Sequence, residues 1–130
     1  MATGVFTHKQ GISYSSDEGQ VVGVTNTYTG NTEEGWEGNV SANATQEIDI
    51  AWVNAKVQSL MLYSSTAAVI KSNNSGSTAG NTISLTAKQL IAWSPDHLEQ
   101  NPFHSADVTK LFAIAGAAIA NVKVRVLLQV

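Results

Sequence analysis

The residues from Asn121 to Val130 constrain the fold more than any other stretch. Val122, Val124, Val126 and Leu128 alternate there with Lys123, Arg125 and Leu127. A period of two over this length sends one side-chain row into a core and the other toward water. That is the pattern of a strand in an antiparallel sheet with one covered face.

Shorter runs of the same kind fill the middle of the chain. Ile48, Ile50 and Trp52 share one face of Gln46–Trp52, and Ile83 and Leu85 share one face of Asn81–Thr86. Lys56–Tyr63, Ala67–Lys71, Gln89–Trp93 and Lys110–Ile114 add further apolar runs of strand length. The expected core is Ile48, Ile50, Trp52, Leu60, Leu62, Ile83, Leu85, Trp93, Leu111, Val122, Val124 and Val126. Turn chemistry separates the runs. Residues 72–80 are rich in Ser, Asn and Gly, and Asn101-Pro102 marks another turn. Ser94-Pro95-Asp96-His97 reads as an N-cap followed by one short helical turn. One segment admits two readings. Val108, Leu111, Phe112 and Ala115 sit at helical spacing among alanines, so Val108–Ala120 is the helical alternative to a strand at Lys110–Ile114.

The first third reads differently. Val5-Phe6, Ile12–Tyr14 and Val21–Val24 are candidate short strands. Thr25–Gln46 holds five Thr, four Asn and three Gly, with only Tyr28, Trp36 and Val40 as sizeable apolar residues. Such a segment cannot offset its ordering entropy by local burial. It is expected to be an extended arm or edge segment that contacts another subunit, outside this monomer's core. Trp36 would be the buried anchor, and Glu33, Glu34 and Glu37 would face basic residues of a partner or a second copy. Residues 1–50 carry seven acids and one Lys, against three acids and six bases in residues 51–130. Either the halves interleave their charges or copies pair through complementary patches.

With 130 residues the chain has room for one domain, spanning 1–130, in which 1–46 is the candidate arm. Only 13% of residues are charged, against about 25% in an average soluble domain. A net charge of −3 gives nucleic acid no electrostatic reason to bind. No apolar run approaches the length of a membrane helix, and Met1–Thr7 has no signal-peptide pattern. The absence of cysteine removes disulfides and thiolate chemistry. N-x-S/T sites at Asn39, Asn43 and Asn73 are read as chance matches in a chain this rich in Asn, Ser and Thr.

Chemistry-bearing motifs are sparse. His97 or His104 with Asp107 and a serine would allow a triad, but no nucleophile-elbow sequence supports one. Glu33, Glu34 and Glu37 are a pair-forming acidic set in a Gly-flanked loop, and solvation explains them better than glycoside chemistry does. Asp96, His97, Glu99, His104 and Asp107 fall within twelve residues, yet their spacing fits capping of turns better than metal ligation. No metal, no cofactor and no enzymatic activity is expected. Asn101-Pro102-Phe103 matches an adaptor-binding tripeptide, which carries almost no weight. Trp36, Trp52 and Trp93 with Tyr14, Tyr28 and Tyr63 could supply a sugar-stacking platform. Trp52 and Trp93 lie in core alternation, which leaves Trp36 as the exposed candidate.

From Val57 onward a wider pattern is present. Val57-Gln58-Ser59-Leu60-Met61-Leu62-Tyr63 is followed by Val69-Ile70-Lys71-Ser72-Asn73 and Asn81-Thr82-Ile83-Ser84-Leu85-Thr86-Ala87. Leu90-Ile91-Ala92-Trp93, Asn101-Pro102-Phe103, Asp107-Val108-Thr109-Lys110-Leu111 and Val122-Lys123-Val124-Arg125-Val126-Leu127 complete it. This resembles the small β-sandwich proteins of tailed-bacteriophage virions, of the head decoration or cement type. The resemblance implies a single antiparallel β-sandwich, jelly-roll-like or immunoglobulin-like, of about eight or nine short strands. It implies a structural role on the outside of the capsid, with the major capsid protein as partner and a homo-oligomer as the working form. A carbohydrate-binding or adhesin-like sandwich is the first alternative, and a minor tail or baseplate protein the second.

Overall fold

The computed structural model describes residues 2–15, 21–76, 78 and 80–130, with side chains for all of these except 2, 3, 12–15 and 21–24. Nine strands lie among them. They are β1 (Ala2–Ser15), β2 (Val21–Val40), β3 (Thr45–Ile48), β4 (Val57–Ser64), β5 (Ala68–Ser72), β6 (Thr82–Leu85), β7 (Ile91–Trp93), β8 (Leu111–Ala115) and β9 (Ala120–Leu128). Two antiparallel sheets result, with orders β1-β2-β9-β4-β7 and β3-β8-β5-β6. The molecule is thus the all-β sandwich that the alternation predicts. Two of its strands, β1 and β2, are long rather than short.

β9 organises the larger sheet. Ala120, Val122, Val124, Val126 and Leu128 are buried between the sheets. β4 lies beside it with a bulge between Val57 and Ser59. The bulge resets the alternation, so that Val57, Leu60 and Leu62 point inward while Ser59, Met61 and Tyr63 occupy the outer face. β5 and β8 close the core from the other sheet with Ala68, Ile70, Leu111, Ala113 and Ala115. Of the expected core, Ile83 and Trp93 are partly buried against the cluster and the rest are buried.

The helical alternative at Val108–Ala120 is not adopted. Leu111, Ala113 and Ala115 are buried at period two, and β8 takes ladder bonds from β3 on one side and β5 on the other. Two flanking strands outweigh alanine's helix preference, which is worth less than about 1 kcal/mol per residue. Val108 instead bridges to Trp52, with backbone bonds of 2.8 and 3.0 Å. The short helix expected after Trp93 is also absent. His97 N–H reaches Ser94 carbonyl as a turn, and the Ser94 hydroxyl donates to Tyr28 rather than capping a helix. The one helical turn among the described residues is a 3₁₀ turn at Asn54–Lys56.

Asn side chains tie down the loops. Asn54 Nδ2 donates to the carbonyls of Phe103 and Ala106, and its Oδ1 accepts from Trp52 Nε1. Asn73, at φ 69°, accepts from Thr109 N–H and donates to Asp107 carbonyl. Asn101 Oδ1 accepts from Phe103 N–H, and this tight turn sends Phe103 fully into the core. There Phe103 meets Trp52 edge-on, with centroids 5.4 Å apart.

Part of Thr25–Gln46 enters the core, against the expectation that the whole segment stays outside it. Thr32–Val40 pairs residue by residue with β9, Val40 is buried in the core, and Trp36 packs against it. The sandwich itself supplies the burial that the segment cannot generate locally. Residues 21–31 of β2 run on past the end of β9, paired only with β1. This two-stranded ribbon bends back over the outer face of the five-stranded sheet. Gly30 lies close against β9 where the ribbon leaves it: an added Cβ there would lie 2.4 Å from the Leu128 carbonyl oxygen. Opposite it, β1 is irregular between Thr3 and Phe6, with Gly4 at φ 151°.

Candidate functional site

The ribbon makes the outer face of the five-stranded sheet the most elaborated surface among the described residues. Beneath it Leu127 is fully buried, outside the main core cluster. Around Leu127 lies a chain of side-chain hydrogen bonds. His8 Nδ1 is 3.0 Å from Ser59 Oγ, and His8 Nε2 is 3.0 Å from Glu33 Oε2. The tautomer with hydrogen on Nε2 satisfies both contacts: His8 donates to Glu33 and accepts from Ser59. Gln10 Nε2 donates to Ser59 Oγ at 3.0 Å and to the Trp93 carbonyl at 2.9 Å. Ser94 Oγ donates to the Tyr28 hydroxyl at 2.9 Å. These contacts form a polar latch that holds the ribbon to β4 and to the end of β7.

Ser59, His8 and Glu33 have the composition of a nucleophile relay but not its access. Ser59 is fully buried and already takes a bond from Gln10. No substrate carbonyl can approach its hydroxyl while the ribbon is down. Nothing near these residues in sequence announced the latch, because its partners lie 25 to 83 residues apart.

Beside the latch the ribbon does not close completely on the sheet. A cleft of about 420 Å³ remains between Lys9, Gln10 and Asn26 on the ribbon and Met61, Ala92 and His97 below. A shallower hollow of about 360 Å³ adjoins it over Met61, Tyr63 and Leu90, with Lys123 and Arg125 on its rim. Gln10 Oε1 is buried with no partner among the described residues.

The four residues singled out from the sequence separate by strand parity. Trp36 stands opposite Val124, and Glu34 opposite Val126, both on the inward side of β2. The Trp36 ring lies over Gly38, where an added Cβ would come within 2.7 Å of it. Glu33 and Glu37 are on the outer side. Glu33 takes the His8 bond, and Glu37 lies 3.6 Å from Lys123 and 3.7 Å from Arg125 of the same chain. Arg125 reaches Glu37 across Gly35, whose missing Cβ leaves room for the guanidinium. At this exposure such pairs contribute little stability, and they record charge interleaving within one copy. Lys123 Nζ also sits 5.8 Å above the Tyr63 ring.

The other candidates disperse. Asp107 accepts from the Asn54 N–H at 2.8 Å and so caps the 3₁₀ turn. Among the described residues no three His, Asp or Glu side chains converge as metal ligands would. Trp52 is buried, and the Trp93 indole N–H is taken by the Glu99 carbonyl. With Trp36 turned inward, the three indoles share no exposed platform. Tyr14 lies outside the residues whose side chains are described. Comparison with known proteins returns no match to any family model, curated protein or solved structure.

Proposed function

We propose that the chain is a structural virion protein of the head decoration or cement type, binding the outside of a phage capsid lattice as a homo-oligomer. The observation that carries this reading is the contrast among the four sheet edges. β3, β6 and β7 are edge strands of only three or four residues, whereas the edge strand β1 has fourteen. Short edges are how a sandwich avoids pairing with other chains, and a long free edge invites it. The rest of the molecule supports the same role. Side-chain bonds from Asn54, Asn73 and Asn101 pin its loops, and only 13% of its residues are charged. The sequence resemblance points the same way.

The test is co-sedimentation of the purified chain with heads assembled from the major capsid protein, together with its mass in sedimentation velocity. Saturable binding by an oligomer is the expected result. A monomer that stays in the supernatant, or one retained by glycans instead, overturns the reading.

A further inference from the structure

We propose that the outer face of the five-stranded sheet holds an extended acidic segment of a partner protein, one that carries apolar side chains between carboxylates. The cleft beneath the ribbon and the hollow beside it share Met61 and Leu90, so the two form one trough. Its floor is apolar. Met61 and Ala92 are paired across β4 and β7, and Tyr63 continues the same face of β4. Leu90 is 61% exposed where the two hollows meet, a large apolar side chain left to water. Lys9 and His97 stand at one end of the trough, Lys123 and Arg125 at the other. Among the described residues no Asp or Glu lines either hollow. Glu37 lies 3.6 Å from Lys123 and 3.7 Å from Arg125, one carboxylate for two cations, so a positive charge stays unmatched there.

The layout selects the occupant. The chain as a whole carries −3, so a trough with cations at both ends departs from its average and complements an anionic partner. The cations are separated by the apolar floor. A small inorganic anion therefore reaches one end only, and a wholly hydrophilic polyanion leaves the floor unused. A sugar needs a bare aromatic face, but Lys123 Nζ lies 5.8 Å from the centre of the Tyr63 ring and covers it. An extended peptide meets both demands. Met61 and Tyr63 are two residues apart on β4, about 7 Å, which is the repeat of alternate side chains along an extended chain. Two apolar side chains of the segment can rest there and on Leu90 while carboxylates before and after them reach Lys9 and Lys123. Asn26, exposed on the ribbon wall, offers its amide to the segment's backbone.

The probe is a fluorescein-labelled peptide with Leu-Val-Leu flanked on each side by a pair of Asp, followed by fluorescence anisotropy against the purified full chain. Two control peptides replace the Asp residues by Lys, or the Leu-Val-Leu by Ser. The acidic apolar peptide should bind saturably and lose affinity with added salt, and both controls should bind at least about tenfold more weakly. Leu90→Ser, Lys9→Glu and Lys123→Glu alter exposed side chains, so the fold should survive, which thermal melts verify. Each should weaken binding about tenfold. Lys71→Glu, on the four-stranded sheet, should leave it unchanged. No binding, or equal binding of all three peptides, overturns the inference. So does a loss with Lys71→Glu as large as with Lys123→Glu, since the attraction is then diffuse. Retention on immobilised neutral glycans that Leu90→Ser abolishes assigns the trough to sugar and overturns it too. The inference does not rest on the capsid reading: peptide binding without head binding refutes that reading alone, and head binding without peptide binding refutes only this one.

Discussion

Replacing Leu127 by alanine separates the ribbon from the sandwich energetically. Leu127 is fully buried, yet its contacts lie on the outer face of the sheet, under the ribbon. Leu→Ala removes three carbons, and at about 0.8 kcal/mol per buried methylene-sized group the transfer loss is about 2–3 kcal/mol. A rigid site adds a cavity term that carries Leu→Ala costs to about 5 kcal/mol. Here the lid is a two-stranded ribbon held by side-chain hydrogen bonds, so it can settle into the space. The expected cost is therefore at the low end, about 2–3 kcal/mol. Urea unfolding followed by tryptophan fluorescence measures the total. Native-state hydrogen exchange shows where the loss falls: amides of Thr25–Gly30 should lose protection before those of Val122–Val126. An unchanged midpoint refutes the burial argument. A uniform loss of protection across both regions refutes the claim that the ribbon is a separate layer.

Phe103→Ala should cost about 3–5 kcal/mol in the same denaturation experiment, since the ring is fully buried and packs edge-on against Trp52. Trp36→Ala should lower the monomer's melting temperature, because the indole packs on the core and over Gly38; an unchanged melting temperature would return Trp36 to an interface role. The Glu47 carboxylate, by hydrogen bond and charge, holds the Lys110 ammonium pKa above the usual lysine value. A raised folded-state pKa gives stability that is complete below the unfolded value and lost as pH climbs through the folded one. Melting temperature should thus drift down above roughly pH 10, and Lys110→Met should remove that part of the drift. EDTA should leave the melting temperature unchanged; a large fall restored by Zn²⁺ or Ca²⁺ would reveal a site.

Period-two runs made the sandwich legible because each strand there carries its own record of which face is covered. Val122, Val124 and Val126 needed no partner to be assigned. The inward packing of Trp36 is not legible in the sequence, for an instructive reason. Glu34, Trp36, Gly38 and Val40 also alternate, but the glycines and acids around them read as a solvated loop. Gly38 is there to give the indole room, and Gly35 to let Arg125 pass. Phe103 was hidden by its neighbours, since the Asn-Pro turn that marks a surface break also aims the next side chain inward. The latch left no local trace. A histidine among threonines and glutamines acquires its role only when β4, more than fifty residues away, comes beneath it.

The position of β9 in the sheet has a consequence for how the protein is made. It is the central strand, with β2 on one side and β4 on the other, yet it follows every other strand among the described residues. β1 and β2 thus have no larger sheet to join until β9 has been made. Val40 pairs with Ala120 and Thr32 with Leu128, at sequence separations of 80 and 96. Loop closure over such distances places the chain among slow folders, in the range of milliseconds to seconds. Until then the ribbon waits with its polar side chains hydrated.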